Sequence, residues 1–469
     1  MNNYSDGERV YKKTLIHYIP AVLIPAITNI FLTLGLARIL NLQLYGEYTY
    51  YTSIGVLITS IFSQWLVQSI QRFHYTDQKQ KEYIFLVRFV QSIYIYTFLI
   101  AFIFYIFYKF LINSQDNILS ILLSLTMLFT SQSLLAVKVA EYAANYKVSN
   151  IKKINVQQSF LKLVFLSIYL LIFHDFQINE IMIILSLTNF LNLLEFIRRN
   201  DKLSNVLIFN YSFFYSSKKI ISKQFKKLLF YGLPMTGWFI GTNLLGVGDR
   251  VVLKLFTDSS QVGIYSANYT LVSTGIGLLV APLLQAAHPV IMNYGQKNVN
   301  NYDDIAVFIE KLSRKYLVVS LFIVVSLFFY YKKISLLLFG SQYESGAVII
   351  PLTILGIFFW NYSMYGHKGI ELMNKPLKMM KYVLYSAFIN LALNFILVPL
   401  MGITGSGIAT LVAYISYAIF IKINSKEDIR WIINYKYIVI LIIIYSLILL
   451  LLNPFINQIL DYLIKFENK

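Results

Sequence analysis

Cysteine is absent from the 469-residue chain, which removes disulfide frameworks, thiolate nucleophiles and cysteine-ligated zinc from consideration. Charge is scarce as well. Only 13% of residues are Asp, Glu, Lys or Arg, against roughly 25% in soluble domains. Acids are the rarer sign, 22 against 40 basic residues. No paired acids and no cluster of metal-ligating side chains stands out, so an enzyme site has no obvious seat.

What the chain has instead is hydrocarbon: 57% of it is hydrophobic and 16% aromatic. The apolar residues fall in blocks of about 20–28, long enough to cross a core of roughly 30 Å as helix. The blocks are 14–38, 46–72, 83–108, 118–140, 154–173, 177–197, 228–254, 262–289, 313–338, 346–371, 379–399, 404–423 and 435–452. They do not alternate with the period of two that a barrel strand requires. The expected fold is therefore an all-α polytopic membrane protein. The first block, behind Arg9, Lys12 and Lys13, is too long for the apolar region of a cleavable signal and reads as a span.

A net charge of +18 raises nucleic acid as a partner, but the distribution argues against it. Of the 40 basic residues, Arg38, Lys109, Arg250, Lys254, Lys332 and Lys333 fall on one side of the expected membrane, and most others on the side holding the N-terminus. That asymmetry places the N-terminus in the cytoplasm. It also makes anionic membrane lipids an expected partner.

Six spans precede a basic inner loop, 198–227, and seven follow it, the first six of which form a second lobe. The expected organisation is an N-lobe over 1–197, this linker, a C-lobe over 228–424, and an extra span and tail over 425–469. An even number of spans before the linker makes the lobes parallel repeats, related by a pseudo-two-fold axis along the membrane normal. Two correspondences support the repeat. Gly46-Glu47-Tyr48 and Gly263-Ile264-Tyr265 open the second and eighth spans, and the same offset carries Gln68 onto Gln285 and Gln71 onto His288. Lys138-x-x-Glu141 and Lys368-x-x-Glu371 end the fourth and tenth. Beyond Asn453-Pro454, which is expected to break the thirteenth span, too few residues remain for another crossing at 1.5 Å per residue. That tail reads as an interfacial amphipathic helix or a short, partial fourteenth span.

These residues resemble a known family. The run "LARIL…YGEY" followed by "QSIQRF", Tyr231-Gly232-Leu233-Pro234 with Asp249-Arg250, the segment "LLLFGSQYESGAVIIPLTIL" and "NLALNFILVPLMGITGSGIATLVAYI" are spaced as in the polysaccharide exporters. That family lies in the multidrug/oligosaccharidyl-lipid/polysaccharide superfamily and includes the Wzx-type flippases. The resemblance implies a non-enzymatic flippase that moves undecaprenyl-diphosphate-linked oligosaccharides to the outer leaflet of a bacterial cytoplasmic membrane by alternating access. It implies lipid-linked glycan as substrate, a polysaccharide polymerase and glycosyltransferases as partners, and a monomer. No cofactor is expected; the coupling ion, sodium or proton, stays open.

A diphosphate substrate calls for fixed cations within the bilayer, where an ionisable residue is a functional candidate by default. Lys162 lies deep in the fifth span on one face with Gln158, and reads either as a cavity cation or as a snorkelling side chain. Asp249 and Arg250, with Arg38 at a similar level, read as an outer vestibule or as interfacial anchors. Arg72 and His288, approached by Gln68 and Gln285, line an inner cavity or serve as interhelical glue. The Lys138/Glu141 and Lys368/Glu371 pairs form a gate or a solvated rim. Gly402, Gly405 and Gly407 read as close-packing sites. A cation-coupled multidrug or metabolite exporter of the same superfamily is the main alternative, although such carriers need a buried carboxylate and the deep group here is a cation.

Overall fold

A computed structural model of the chain describes residues 24, 27–77, 81–111, 118–145, 147–173, 176–200, 218–298, 301–427 and 429–467. Most of the linker 198–227, and both Pro20 and Pro25, lie outside the described residues. Among the described residues there are helices and no strands. They are α1 (Ile27–Ile39), α2 (Leu42–Asp77), α3 (Lys81–Leu111), α4 (Ile118–Ala144), α5 (Val148–Ile172), α6 (Ile178–Asn200), α7 (Lys218–Phe256), α8 (Ser259–Lys297), α9 (Tyr302–Phe339), α10 (Ile349–Leu372), α11 (Pro376–Asn424) and α12 (Tyr435–Glu467). Ten helices among the described residues are long and apolar enough to cross a membrane. The protein is a multi-pass, all-α membrane protein.

Local chemistry starts and stops these helices. Asp258 caps α8 by accepting from the Gln261 backbone N–H at 2.8 Å, and Asn301 caps α9 with Asp303 and Asp304 in the first turn. Both arrangements place oxygen at the positive end of the helix dipole. At the other end of α9, Arg38 donates from Nε to Leu338 O (2.9 Å) and from a terminal guanidinium nitrogen to Leu337 O (2.8 Å). It thereby serves carbonyls that the helix leaves without partners.

The eleventh and twelfth expected spans both lie within α11, where two helices meet at a kink. They part at Gly402, which takes φ +57° and ψ −133°, outside the helical region. A Cβ at Gly402 would meet nothing within 4 Å. This glycine serves backbone conformation, not the close packing expected from sequence. Gly405 does pack closely: a Cβ there would overlap the Leu397 carbonyl.

The expected break at Pro454 does not occur, since α12 runs through it for 33 residues. Three contacts with α9 hold the helix on course. Tyr330 bonds Asn453 Oδ1 (3.2 Å), Tyr445 bonds Val318 O (2.9 Å) and Lys333 pairs with Asp461 (2.7 Å). Tertiary support of this kind carries a helix across a proline that would end an isolated one.

The chain divides into two compact units, residues 1–49 with 244–469, and residues 50–243, with the boundaries inside α2 and α7. In the second unit α4 packs on α3 and α6, and α5 on α6. Its core gathers Leu66, Ile70, Tyr83, Leu134, Val137 and Leu193. The α4 residues Ser124, Thr130, Ser131 and Ser133 are buried with Asn189 and Asn192 of α6. Small and amide side chains of this sort allow helices to approach closely in lipid. In the first unit α10 packs on α8, α9 and α11, and α12 on α9.

One contact in the first unit is reciprocal. A Cβ at Gly46 would overlap the Ser259 carbonyl, and one at Gly263 would lie 2.6 Å from the Leu42 carbonyl and 3.1 Å from Gly46 N. The offset that carries Gly46 onto Gly263 also carries Leu42 onto Ser259. Each member of one pair meets the counterpart of the other, as residues at a two-fold axis do.

Candidate functional site

Lys162 lies within α5, fourteen residues from its first residue and ten from its last. At 1.5 Å per residue that is about 21 Å from one end and about 15 Å from the other. The helix begins earlier than the hydrophobic block suggests, which leaves Lys162 near its middle. It is half-buried, and it makes no hydrogen bond or ion pair among the described residues. Its neighbour one turn earlier, Gln158, is engaged: it donates to Asn189 Oδ1 at 2.7 Å, and Asn189 donates to Ser131 Oγ at 3.4 Å. Gln157 donates to Glu195. The amides on this part of α5 are therefore committed to α6, and the ammonium group is not.

Also in the second unit, Lys138 and Glu141 form an ion pair of 2.9 Å whose side chains are only 9% and 17% exposed. Gln91 donates to the other Glu141 oxygen at 2.8 Å, tying α3 to α4. A solvated rim does not describe this pair; it is a clamp between two helices. Gln68 is half-buried and Arg72 exposed on α2.

In the first unit Asp249 is fully buried and Arg250 nearly so. One Asp249 oxygen accepts from the Arg250 backbone N–H (2.9 Å) and from its guanidinium (3.2 Å); the other accepts from the Tyr265 hydroxyl. The Arg250 guanidinium also donates to Gly246 O (2.8 Å) and stands 4.7 Å over the Tyr269 ring. Tyr269 bonds Tyr414 (3.1 Å), which bonds Leu245 O (3.2 Å). The charges are thus consumed inside the unit, by tyrosines of α8 and α11 that sequence reasoning did not single out. A tyrosine-rich composition was the one available signal. Arg38, read at a similar level, serves the end of α9 instead.

His288, Lys368 and Glu371 come together in the same unit. Lys368 lies 2.8 Å from His288 Nδ1 and 2.6 Å from a Glu371 oxygen, and His288 lies 3.6 Å from the other Glu371 oxygen. Gln285, one turn earlier on α8, is exposed. Sequence placed His288 with a cavity lining and the other two with a gate; the fold makes one cluster of them. Behind it, the buried His367 bonds Tyr417 (2.6 Å). Among the described residues no group of three or more His, Asp or Glu is arranged to hold a metal ion.

Comparison with known proteins adds to this geometry. Residues 12–294 match the model of the polysaccharide biosynthesis protein family. An uncharacterized membrane protein of Methanocaldococcus jannaschii is 26% identical over 258 residues, 54% of this chain and 49% of that relative. The match thus spans about half the length of that curated relative. Among solved structures, the lipid II flippase MurJ in an inward closed conformation aligns with a TM-score of 0.69 at 13% identity, over 95% of this chain and 96% of its own. An inward-facing multidrug resistance MATE family transporter of the MOP superfamily aligns with a TM-score of 0.58 at 11% identity, over 88% and 98%. A MOP superfamily transporter from Pyrococcus furiosus gives 0.56 at 12% identity, over 89% and 96%. At these identities the structural likeness shows a shared fold.

Proposed function

The chain belongs to the polysaccharide biosynthesis protein family, and on that premise we propose that it is a flippase for undecaprenyl-diphosphate-linked oligosaccharides. It carries them from the cytoplasmic to the outer leaflet by alternating access between lobes 1–197 and 228–424, with its N-terminus in the cytoplasm of a bacterial cell. The solved proteins of like fold are named as a lipid flippase and as transporters, in keeping with a carrier and not an enzyme.

The observation that carries this reading is Lys162. An ammonium group at bilayer depth costs roughly 2.5–3.5 kcal/mol on insertion scales, and here no described side chain offsets that cost. A diphosphate arriving at Lys162 supplies the missing partner through charge-assisted bonds, which are strong in a low-dielectric setting. The same logic disfavours a cation-coupled exporter, because Asp249, the one fully buried carboxylate among the described residues, is already held by Arg250 and Tyr265. Arg72 and the His288–Lys368–Glu371 cluster then serve as cytoplasmic-end groups that meet the headgroup or hold a gate.

The test is complementation in a strain that has lost glycan export. The wild-type chain restores export, Lys162→Ala does not at equal membrane abundance, and Lys162→Arg retains part of it. Full export by Lys162→Ala overturns the assignment.

A further inference from the structure

The first unit contains a cavity of about 640 Å³ between α9, α10, the second half of α11 and α12. Its walls offer water very little: Val325, Phe328, Phe359, Ile419 and Ile442 are typical of them. Apolar space of this kind takes hydrocarbon.

The charged lining residue of the cavity lies toward one end, where α11 finishes and α12 begins. Lys422 lines it there and donates to the Trp431 carbonyl at 2.5 Å. Lys426 and Arg430, both exposed, stand close enough to act on Lys422 electrostatically. Trp431 also lines the cavity, and a Cβ at Gly366 of α10 would overlap its ring. Trp431 is 3% exposed, and its indole N–H is buried without an acceptor among the described residues. A buried donor in that state is costly unless something accepts from it. An apolar slot with Lys422 and an unserved N–H at one end, and with Lys426 and Arg430 outside its lining but near Lys422, is complementary to an amphiphile with an anionic, oxygen-rich headgroup.

We propose that this cavity is a binding site for one anionic phospholipid, with an acyl chain between α9 and α12 and the phosphodiester at Lys422, Lys426 and Arg430. Basic pockets between membrane helices bind anionic headgroups in this way. The site favours a resident phospholipid over the transported substrate because its charges lie at one end of the slot, and Lys422 is pinned to the backbone there. A lipid anchored so stays in one leaflet, whereas a flipped substrate has to let go. The proposal rests on the chain spanning a membrane and not on the identity of its substrate.

Native mass spectrometry of the full chain released from detergent micelles tests it, with phosphatidylglycerol, phosphatidylethanolamine of the same acyl chains, and undecaprenyl phosphate as probes. Phosphatidylglycerol should be retained about ten-fold or more over phosphatidylethanolamine. The K422Q/K426Q/R430Q variant should lose that preference. Ser446→Trp, which fills the slot from a half-buried position on α12, should lower retention of both phospholipids. Should Ser446→Trp fail to fold, the charge variant still decides. Equal retention of the two phospholipids by the wild type, or an unchanged preference in the charge variant, overturns the proposal. So does displacement of phosphatidylglycerol by undecaprenyl phosphate, which would make this a substrate-tail site.

Discussion

Replacing Arg250 with methionine removes one half of an ion pair whose side chains are 7% and 0% exposed. The Asp249 carboxylate then keeps only the Tyr265 hydroxyl and a backbone N–H. Breaking a buried pair from one side costs about 3–5 kcal/mol, because a desolvated charge is left without its counterion. Loss of the guanidinium over the Tyr269 face, at 4.7 Å, adds up to about 2 kcal/mol in a desolvated setting. The single variant should therefore be destabilised by about 4 kcal/mol or more. The double variant D249N/R250M removes both charges and leaves an amide oxygen for Tyr265 to donate to. It should recover about half of that loss, since two neutral groups no longer carry an uncompensated charge. Melting of the detergent-solubilised protein, followed by the fluorescence of its four tryptophans, gives the ordering wild type, double variant, single variant. A single variant as stable as wild type, or a double variant no better than the single, would refute the reasoning that these charges are structural partners.

Lys138→Met should destabilise the second unit by about 3 kcal/mol by stranding the nearly buried Glu141. The exposed pair Lys378–Glu427 serves as control, since Glu427→Gln should change stability by under ~1 kcal/mol; equal effects on melting would contradict the burial argument. Gly402→Ala should cost about 1–3 kcal/mol for backbone conformation alone, whereas Gly246→Ala, in an ordinary helical position with open space around it, should be neutral or stabilising. Gly46→Val and Gly263→Val break one reciprocal crossing, so the double variant should cost less than the sum of the singles; simple additivity would mean the two glycines act independently.

How far sequence reaches differs by feature. The number and position of the hydrophobic blocks, the all-helical class, and the depth of Lys162 follow from residue types within a window. The cost of placing a residue in hydrocarbon depends first on its own chemistry and on helical rise. The pairing of Gly46 with Gly263 was legible as a repeat offset, but that the two touch was not. Asp249 and Arg250 were visible as charges near the end of a span. Only packing showed that Tyr265, Tyr269 and Tyr414, the last 145 residues beyond Tyr269, absorb them. Arg38 spends its donors on carbonyls about 300 residues away, and His288 joins Lys368 across 80. The course of α12 through Pro454 depends on Tyr330 and Lys333 of α9. Each of these outcomes turns on which distant group fills a hydrogen bond or neutralises a charge. A local pattern states that such a need exists, and the tertiary structure decides what meets it. Lys162 is a charged case in which the described residues leave the need unmet.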